Sequence, residues 1–311
     1  MTEKIHVIGA TGLLGSSTVN LLSGTRSIVE LRRPGSIGST FATESRILDF
    51  LDSSSVADAI CDAETILFFP AFSTPSAHPR DVRRELQNSA MALANLIEGA
   101  ASVSRLPHII FPSTGGAIYG SSKMACSEET PASPESSYAF GKLISEEMLR
   151  FYARIGKVRF TALRFANLYG SAHKRMAPQG VIDRFLDDAV ADKVSSVWVD
   201  PSSTRDYLFV DDAARAVKAV LERPQDGVNA IYNVGSGRSI SMGEILSIIA
   251  EVTKGRHQYR FDRSQYAGVD HISIDTSAFR SAYPGWADLT APERGIATTW
   301  ERKLVLQDRR A

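Results

Sequence analysis

The chain has 311 residues, 43% of them hydrophobic, with 35 basic and 35 acidic side chains, an ordinary globular composition able to bury a large core. Zero formal net charge removes the long-range attraction that nucleic acid or an anionic membrane exerts, so neither is an expected partner and the expected ligand is small. Cys61 and Cys126 have neither metal-ligand spacing nor a disulfide framework, no apolar run approaches about eighteen residues, and the strand-like KIHVIGA starts just after Met1; the expectation is a soluble, unsecreted protein of the reducing cytoplasm without a metal site.

Apolar runs of strand length alternate with helical patterns from the start. IHVIG is followed by a helix from about Gly12 to Leu22, then SIVEL, RILD, a helix near Val56 to Ile60, and TILFFPA. A longer helix covers about Val82 to Ala101, followed by strand HIIFPS, a helix opening near Tyr138, and strand RFTALRF. This alternation predicts an α/β fold with a doubly wound parallel sheet covered on both faces. After Tyr169 the rhythm breaks into the polar loop SAHKRMAPQG, a helix from about Val181 to Ala191, short strands VSSVWV and DYLFV, a helix from about Met242 to Val252, and a tail read as irregular for its Pro and Gly punctuation. The late pieces are read as a smaller C-terminal substrate-binding lobe over the carboxyl edge of the sheet. The expected division is 1–168 with 206–236 for the first domain, and 169–205 with 237–311 for the second.

VIGATGLLG places Gly9, Gly12 and Gly15, with Thr11, Leu13 and Leu14 between them, at the passage from first strand to first helix. Such a loop needs glycine for the tight turn, for close approach of backbone to a pyrophosphate, and for helix packing, while the helix N-terminus offers N–H groups to the anion. The spacing is one residue wider than the usual dinucleotide fingerprint. At the end of the second strand, VELRRPG puts Arg32 and Arg33 where an acidic residue would hold a ribose 2′-hydroxyl. Two guanidinium forks suit a 2′-phosphate better, so NADP is favoured slightly over NAD, with Glu30 as the alternative contact to the ribose.

SYAFGKL sets Tyr138 and Lys142 one helical turn apart after a Ser/Pro-rich loop, so phenol and ammonium share a face. A neighbouring cation is expected to lower the phenol's pKa toward the pH of the cell. Tyr138 could then exchange a proton with a hydroxyl as hydride leaves or joins its carbon. Asp211 and Asp212 open a helix and are read as its cap rather than as metal ligands, and His173 as a solvated loop residue.

Over nearly its whole length the chain resembles an extended short-chain dehydrogenase/reductase of the nucleotide-sugar epimerase/dehydratase family, a Rossmann fold. The resemblance runs through GATGLLG, ILDF, FFPAF, QNSAMALANLIEGA, STGGAIYG, SYAFGK, LRFANLYG and TRDYLFVDDAARA, in family order. It implies cofactor contacts at Asp49 and Phe50, at Phe69, Pro70 and Ala71, at Asn88, and at Lys142 on the nicotinamide ribose. It also implies substrate diphosphate contacts at Asn167, Arg205 and, more loosely, Arg263, and a homodimer through the helices holding Asn88 and Tyr138.

The family's third catalytic hydroxyl falls at Gly115, so its role is assigned to Thr114 with Ser113 in reserve; either could instead satisfy backbone at the strand end. Gly116 and Ala117 stand where sugar-nucleotide dehydratases of the family carry Asp-Glu, which argues against dehydration. The implied activity is redox chemistry on a nucleoside-diphosphate hexose at C4, ranked as a 4-epimerase first, then an NADPH-dependent 4-keto-sugar reductase, then a non-catalytic dinucleotide sensor on the same fold.

Overall fold

Seven parallel strands form the central sheet: β1 (Lys4–Ile8), β2 (Ser27–Arg32), β3 (Glu44–Ile47), β4 (Thr65–Phe68), β5 (His108–Thr114), β7 (Arg159–Phe165) and β11 (Ala230–Val234), in the order β11-β7-β5-β4-β1-β2-β3. The computed structural model describes residues 4–50, 52–70, 82–102, 106–171, 180–262 and 270–308. From β1 the chain runs outward to β3, then returns to place β4 on the other side of β1. The reversal opens a crevice at the carboxyl ends of β1 and β4, where open α/β sheets bind ligands.

Side chains alternate across the sheet with period two. Ile5, Val7, Ile28, Leu67, Ile110 and Leu163 join one buried cluster, beneath α1 (Leu13–Leu22) and α7 (Val210–Glu222). Val29, Leu31, Ile66, Phe68, Ile109, Phe111 and Phe160 join another, beneath α2 (Ser53–Ala59), α4 (Met91–Ser102) and α5 (Ser137–Arg154). The fold is the expected doubly wound one. The helix read as continuous from Val82 is α3 (Val82–Glu85), a π turn at Leu86–Ala90, and α4. At the sheet's edge the short strand β3 carries Glu44 and Arg46, which join Lys4 and Asp62 in one charged cluster; Arg46 grips Asp62 at 2.6 and 3.0 Å.

A third buried cluster belongs to the later chain. It gathers around the small sheet β12-β10-β8, made of β8 (Asn167–Tyr169), β10 (Thr204–Phe209) and β12 (Ser239–Ser241), and packs α6 (Val181–Val190), α8 (Met242–Val252) and α10 (Pro292–Asp308). Two-stranded ladders pair β9 (Val194–Val197) with β13 (Gln258–Phe261), and β6 (Ala125–Cys126) with β14 (Ser273–Ile274). α9 (Ser277–Ala282) lies against β11. Within 206–236, β10 falls in the small sheet, whereas α7 and β11 join the large one.

The tail is a correction to the sequence reading: its last described stretch is a helix of 17 residues. Pro292 is its first residue, a position where proline's fixed φ favours helix. Gly295 lies against the ring of Tyr169, whose Cζ would stand 3.0 Å from an added Cβ. The proline and glycine read as breakers are a helix start and a packing contact.

Candidate active site

The crevice is a cavity of about 510 Å³ lined by the glycine loop, the ends of β2, β4, β5 and β7, and the first turns of α5. Gly9 has φ of 82°, in the left-handed region that side chains disfavour. Its carbonyl accepts the Gly12 N–H at 2.9 Å, and an added Cβ would lie 3.0 Å from the Phe69 backbone. A Cβ at Gly15 would overlap the Gly9 carbonyl. Gly12 caps α1 without a side chain, leaving the first-turn N–H groups without partners inside the helix. This cradle, which side chains would fill, fits a dinucleotide pyrophosphate.

Thr11, Gly12, Leu13, Leu14, Arg32, Arg33, Phe50, Phe69 and Pro70 also line the crevice. The two arginines differ. Arg32 donates from Nε to Ser45 Oγ at 2.8 Å and from a terminal nitrogen to the Ser36 carbonyl at 2.7 Å, so its guanidinium braces the loop. Arg33 is exposed. Glu30, buried at the crevice wall, accepts the Ser39 N–H at 2.9 Å. Asp49 is exposed, its N–H donating to Ser55 Oγ, and is not part of the lining. Asn88 also lies outside it, on the π turn, with its amide donating to the Arg84 carbonyl at 2.9 Å. Ala71, Arg263 and His173 lie outside the described residues.

Ser136 caps α5 by accepting the Ala139 N–H, which sets Tyr138 in the first turn and Lys142 one turn on. Both line the crevice. Lys142 is buried; its Nζ donates to the Pro112 carbonyl at 2.8 Å and stands 4.6 Å over the Phe111 ring and 5.8 Å from the centre of the Tyr138 ring. The Thr114 side chain stands close enough to the Tyr138 phenol to favour its ionised form. Ser113 instead donates to Glu146 Oε1 at 2.5 Å. Glu146 is also held by Arg164 at 2.7 and 3.0 Å, and Arg164 donates to Tyr119, whose hydroxyl donates to Asn233. Of the two candidate hydroxyls, Ser113 is committed to this buried network, and Thr114 is the one that acts on the phenol.

Electrostatics correct one expectation. Burial pushes the Tyr138 phenol up to about 12, the charge of Glu85 adds to the rise, and the Thr114 side chain opposes it. Burial brings Lys142 down to about 8 against the opposing charges of Glu85 and Glu146. The ammonium does not by itself acidify the phenol; desolvation of the anionic form dominates.

Gly115 is sterically required, whereas Gly116 is packed only against the amide end of Asn167. A Cβ at Gly115 would stand 2.8 Å from the Arg164 carbonyl oxygen, and one at Gly116 2.9 Å from Asn167 Nδ2. Asn167 therefore occupies the space beside the position of the dehydratase carboxylate pair. It lines the crevice and donates to the Asp206 carbonyl at 3.0 Å. Arg205 lies on β10 outside the crevice lining, two residues before Tyr207, which pairs with Asn167; that spacing puts Arg205 and Tyr207 on one side of the strand. A second cavity of about 380 Å³, beside Ser203, is lined by Trp198, Asp200, Phe261, Asp270 and His271 among others. The sequence reading singled out none of these, since lone aromatic and polar residues on short strands carry no periodic signal.

Asp211 and Asp212 stand in the first turn of α7, but the cap is Phe209 and makes no side-chain hydrogen bond. Asp211 instead accepts from Ser17 and Arg302, and Asp212 from Thr290 and Arg215. Among the described residues no group of His, Cys, Asp and Glu could hold a metal ion, and no helix is long and apolar enough to cross a membrane.

Comparison with known proteins identifies the chain's family and fold. The profile of the NAD dependent epimerase/dehydratase family matches residues 5–235. A dTDP-4-dehydro-6-deoxyglucose reductase of Escherichia coli is 31% identical over 188 residues, covering 60% of this chain and 58% of that protein. A UDP-glucose 4-epimerase of Mycolicibacterium smegmatis is 26% identical over 306 residues, covering 95% and 96% of the two chains. The solved structure of MoeE5 in complex with UDP-glucuronic acid and NAD is similar with a TM-score of 0.86 at 25% identity, covering 97% of this chain and 99% of that one.

Proposed function

Because the chain belongs to the NAD dependent epimerase/dehydratase family, whose profile spans residues 5–235, we propose that it is a nucleotide-sugar 4-epimerase acting on a nucleoside-diphosphate hexose through a 4-keto intermediate. The observation that carries this reading is Tyr138 one turn from a buried Lys142 and beside Thr114 at the crevice wall, with Gly116 and Ala117 where a dehydration pair would stand. When bound, the nicotinamide dinucleotide supplies the hydride acceptor and, oxidised, a positive charge near the phenol. Tyr138 Oη takes the proton of the sugar 4-hydroxyl as its carbon loses hydride, and returns it to the ketone oxygen once the opposite face is presented. Thr114 orients that oxygen. Lys142 holds the nicotinamide ribose and keeps a positive charge near the phenol. Asn167 and Arg205 hold the diphosphate.

Arg33, exposed at the crevice wall, supports NADP over NAD, and it favours the second reading, an NADPH-dependent 4-keto-sugar reductase. The test is to denature the purified protein, identify the nucleotide released, and assay UDP-glucose and UDP-galactose interconversion. The epimerase predicts retained dinucleotide, interconversion without added cofactor, and a loss of about 10³-fold or more in Tyr138→Phe. Release of no nucleotide, with NADPH consumed by a 4-keto sugar nucleotide, establishes the reductase instead. Dinucleotide binding without turnover of either substrate leaves a sensor.

A further inference from the structure

Glu85 is a carboxylate in an expensive place. It ends α3, is 3% exposed, and accepts a hydrogen bond of 2.5 Å from Ser89 across the π turn. Burying a charge costs several kcal/mol unless partners offset it. Across from it on α5 is Gly141, between Tyr138 and Lys142. A glycine inside a helix costs about 0.5–1 kcal/mol relative to alanine; here a Cβ would run into Glu85, with Oε1 at 2.8 Å. The helix thus gives up its side chain where the carboxylate comes against the turn joining the phenol to the ammonium. Its charge reaches both groups. The other carboxylate that acts on Lys142, Glu146, is committed to Arg164 and Ser113, and Thr114 meets Tyr138 from β5.

We infer that Glu85 is a positioning residue for the Tyr138–Lys142 pair, a buried counter-charge seated on Gly141 that keeps the amine cationic and the phenol protonated. Once Tyr138 has taken the proton of the sugar hydroxyl, the counter-charge favours its keeping that proton for return to the ketone oxygen, so the keto sugar is reduced rather than released. The functional sense of this rests on the epimerase or reductase reading, but its test does not require turnover. Competitive acetylation with acetic anhydride, followed by peptide mass spectrometry from pH 6 to 10, reads the free-amine fraction of Lys142 in the full-length protein.

In Glu85→Gln the Lys142 titration moves to lower pH, and the free-amine fraction at pH 7 rises about fivefold, the effect of one pKa unit on an amine titrating near 8. Glu85→Asp, which keeps the charge, restores most of the original titration. Gly141→Ala, which keeps the carboxylate but pushes it off the turn, moves the titration in the same direction as Glu85→Gln and serves if that variant fails to fold. A Lys142 titration unchanged in whichever of these two folds overturns the inference, even if the protein proves to be an active epimerase. A shifted titration in a protein that turns over no sugar nucleotide leaves the electrostatic role standing and removes only its catalytic meaning.

Discussion

Thr114 and Ser113 are adjacent on β5, yet the pleat turns the Thr114 side chain toward the Tyr138 phenol and sends the Ser113 hydroxyl to the Glu146 carboxylate. They should fail differently. Thr114→Ala is expected to lower kcat about 10²-fold with little change in unfolding free energy, because it removes an orienting hydrogen bond at the reacting oxygen. Ser113→Ala leaves Glu146 short of a donor and is expected to cost about 1–3 kcal/mol of stability, with kcat nearly unchanged once folded. Steady-state kinetics and urea unfolding of the two variants decide the assignment; equal kinetic losses would refute it. Tyr138 and Lys142 were legible in the sequence because four residues is one turn. The choice between two neighbouring hydroxyls was not, since it depends on what each face of β5 meets. Glu85 was silent for the same reason: its importance lies in the absence of a Cβ at Gly141, on another helix.

At the scale of elements, the final helix shows how breakers can mislead. Gly295 sits in the first turn of α10 where the Tyr169 ring presses on it, while Ile296 and Trp300 enter the third core cluster and Lys303 reaches Asp183 and Asp187. The apolar stripe is narrow because a buried lysine shares it. Gly295→Ala would favour an isolated helix, but here it should destabilise the protein by about 1–3 kcal/mol through overpacking; Tyr169→Phe in the same background, which removes the hydroxyl nearest the new methyl, should recover part of that. Thermal unfolding of the single and double variants tests it, and a Gly295→Ala protein as stable as the parent would refute the packing argument. The parallel strands β1, β4, β5 and β7 were readable from their apolar runs. β11 was not picked out, because AIYNV is short and half-exposed, and the π turn before α4 leaves no compositional trace.

For the whole molecule, acid sensitivity is a matter of sign. His108 is 2% exposed on β5, bonded to Thr161 at 2.8 Å, and burial with the nearby Arg159 charge brings it from 6.5 down to about 4. The folded state holds it neutral, so its contribution is fully present above pH 6.5 and is lost as pH falls toward 4. Asp206, pushed up to about 6 by burial, works oppositely, gaining stability as pH falls from 6 toward 3.8. His108→Gln keeps Asp206 and should reduce the loss of unfolding free energy between pH 7 and pH 5 by about 2 kcal/mol, measured by urea denaturation. An identical loss in both proteins would exclude His108 as the acid-labile group. The doubly wound architecture was legible because strand and helix periods alternate over the first half. We propose that the small sheet with α6, α8 and α10 forms the substrate lobe; β10 and β11, close in the chain, go to different sheets.

The outermost strand has one more consequence. An open ladder normally offers unpaired amides and carbonyls to any strand that drifts against it. β3 is only four residues long, and its Glu44 and Arg46 are tied into a charged knot with Lys4 and Asp62. A chain seeking to extend the sheet at that margin would find little backbone to pair with and ions to desolvate, so that border resists fibril-like growth even when the protein is crowded.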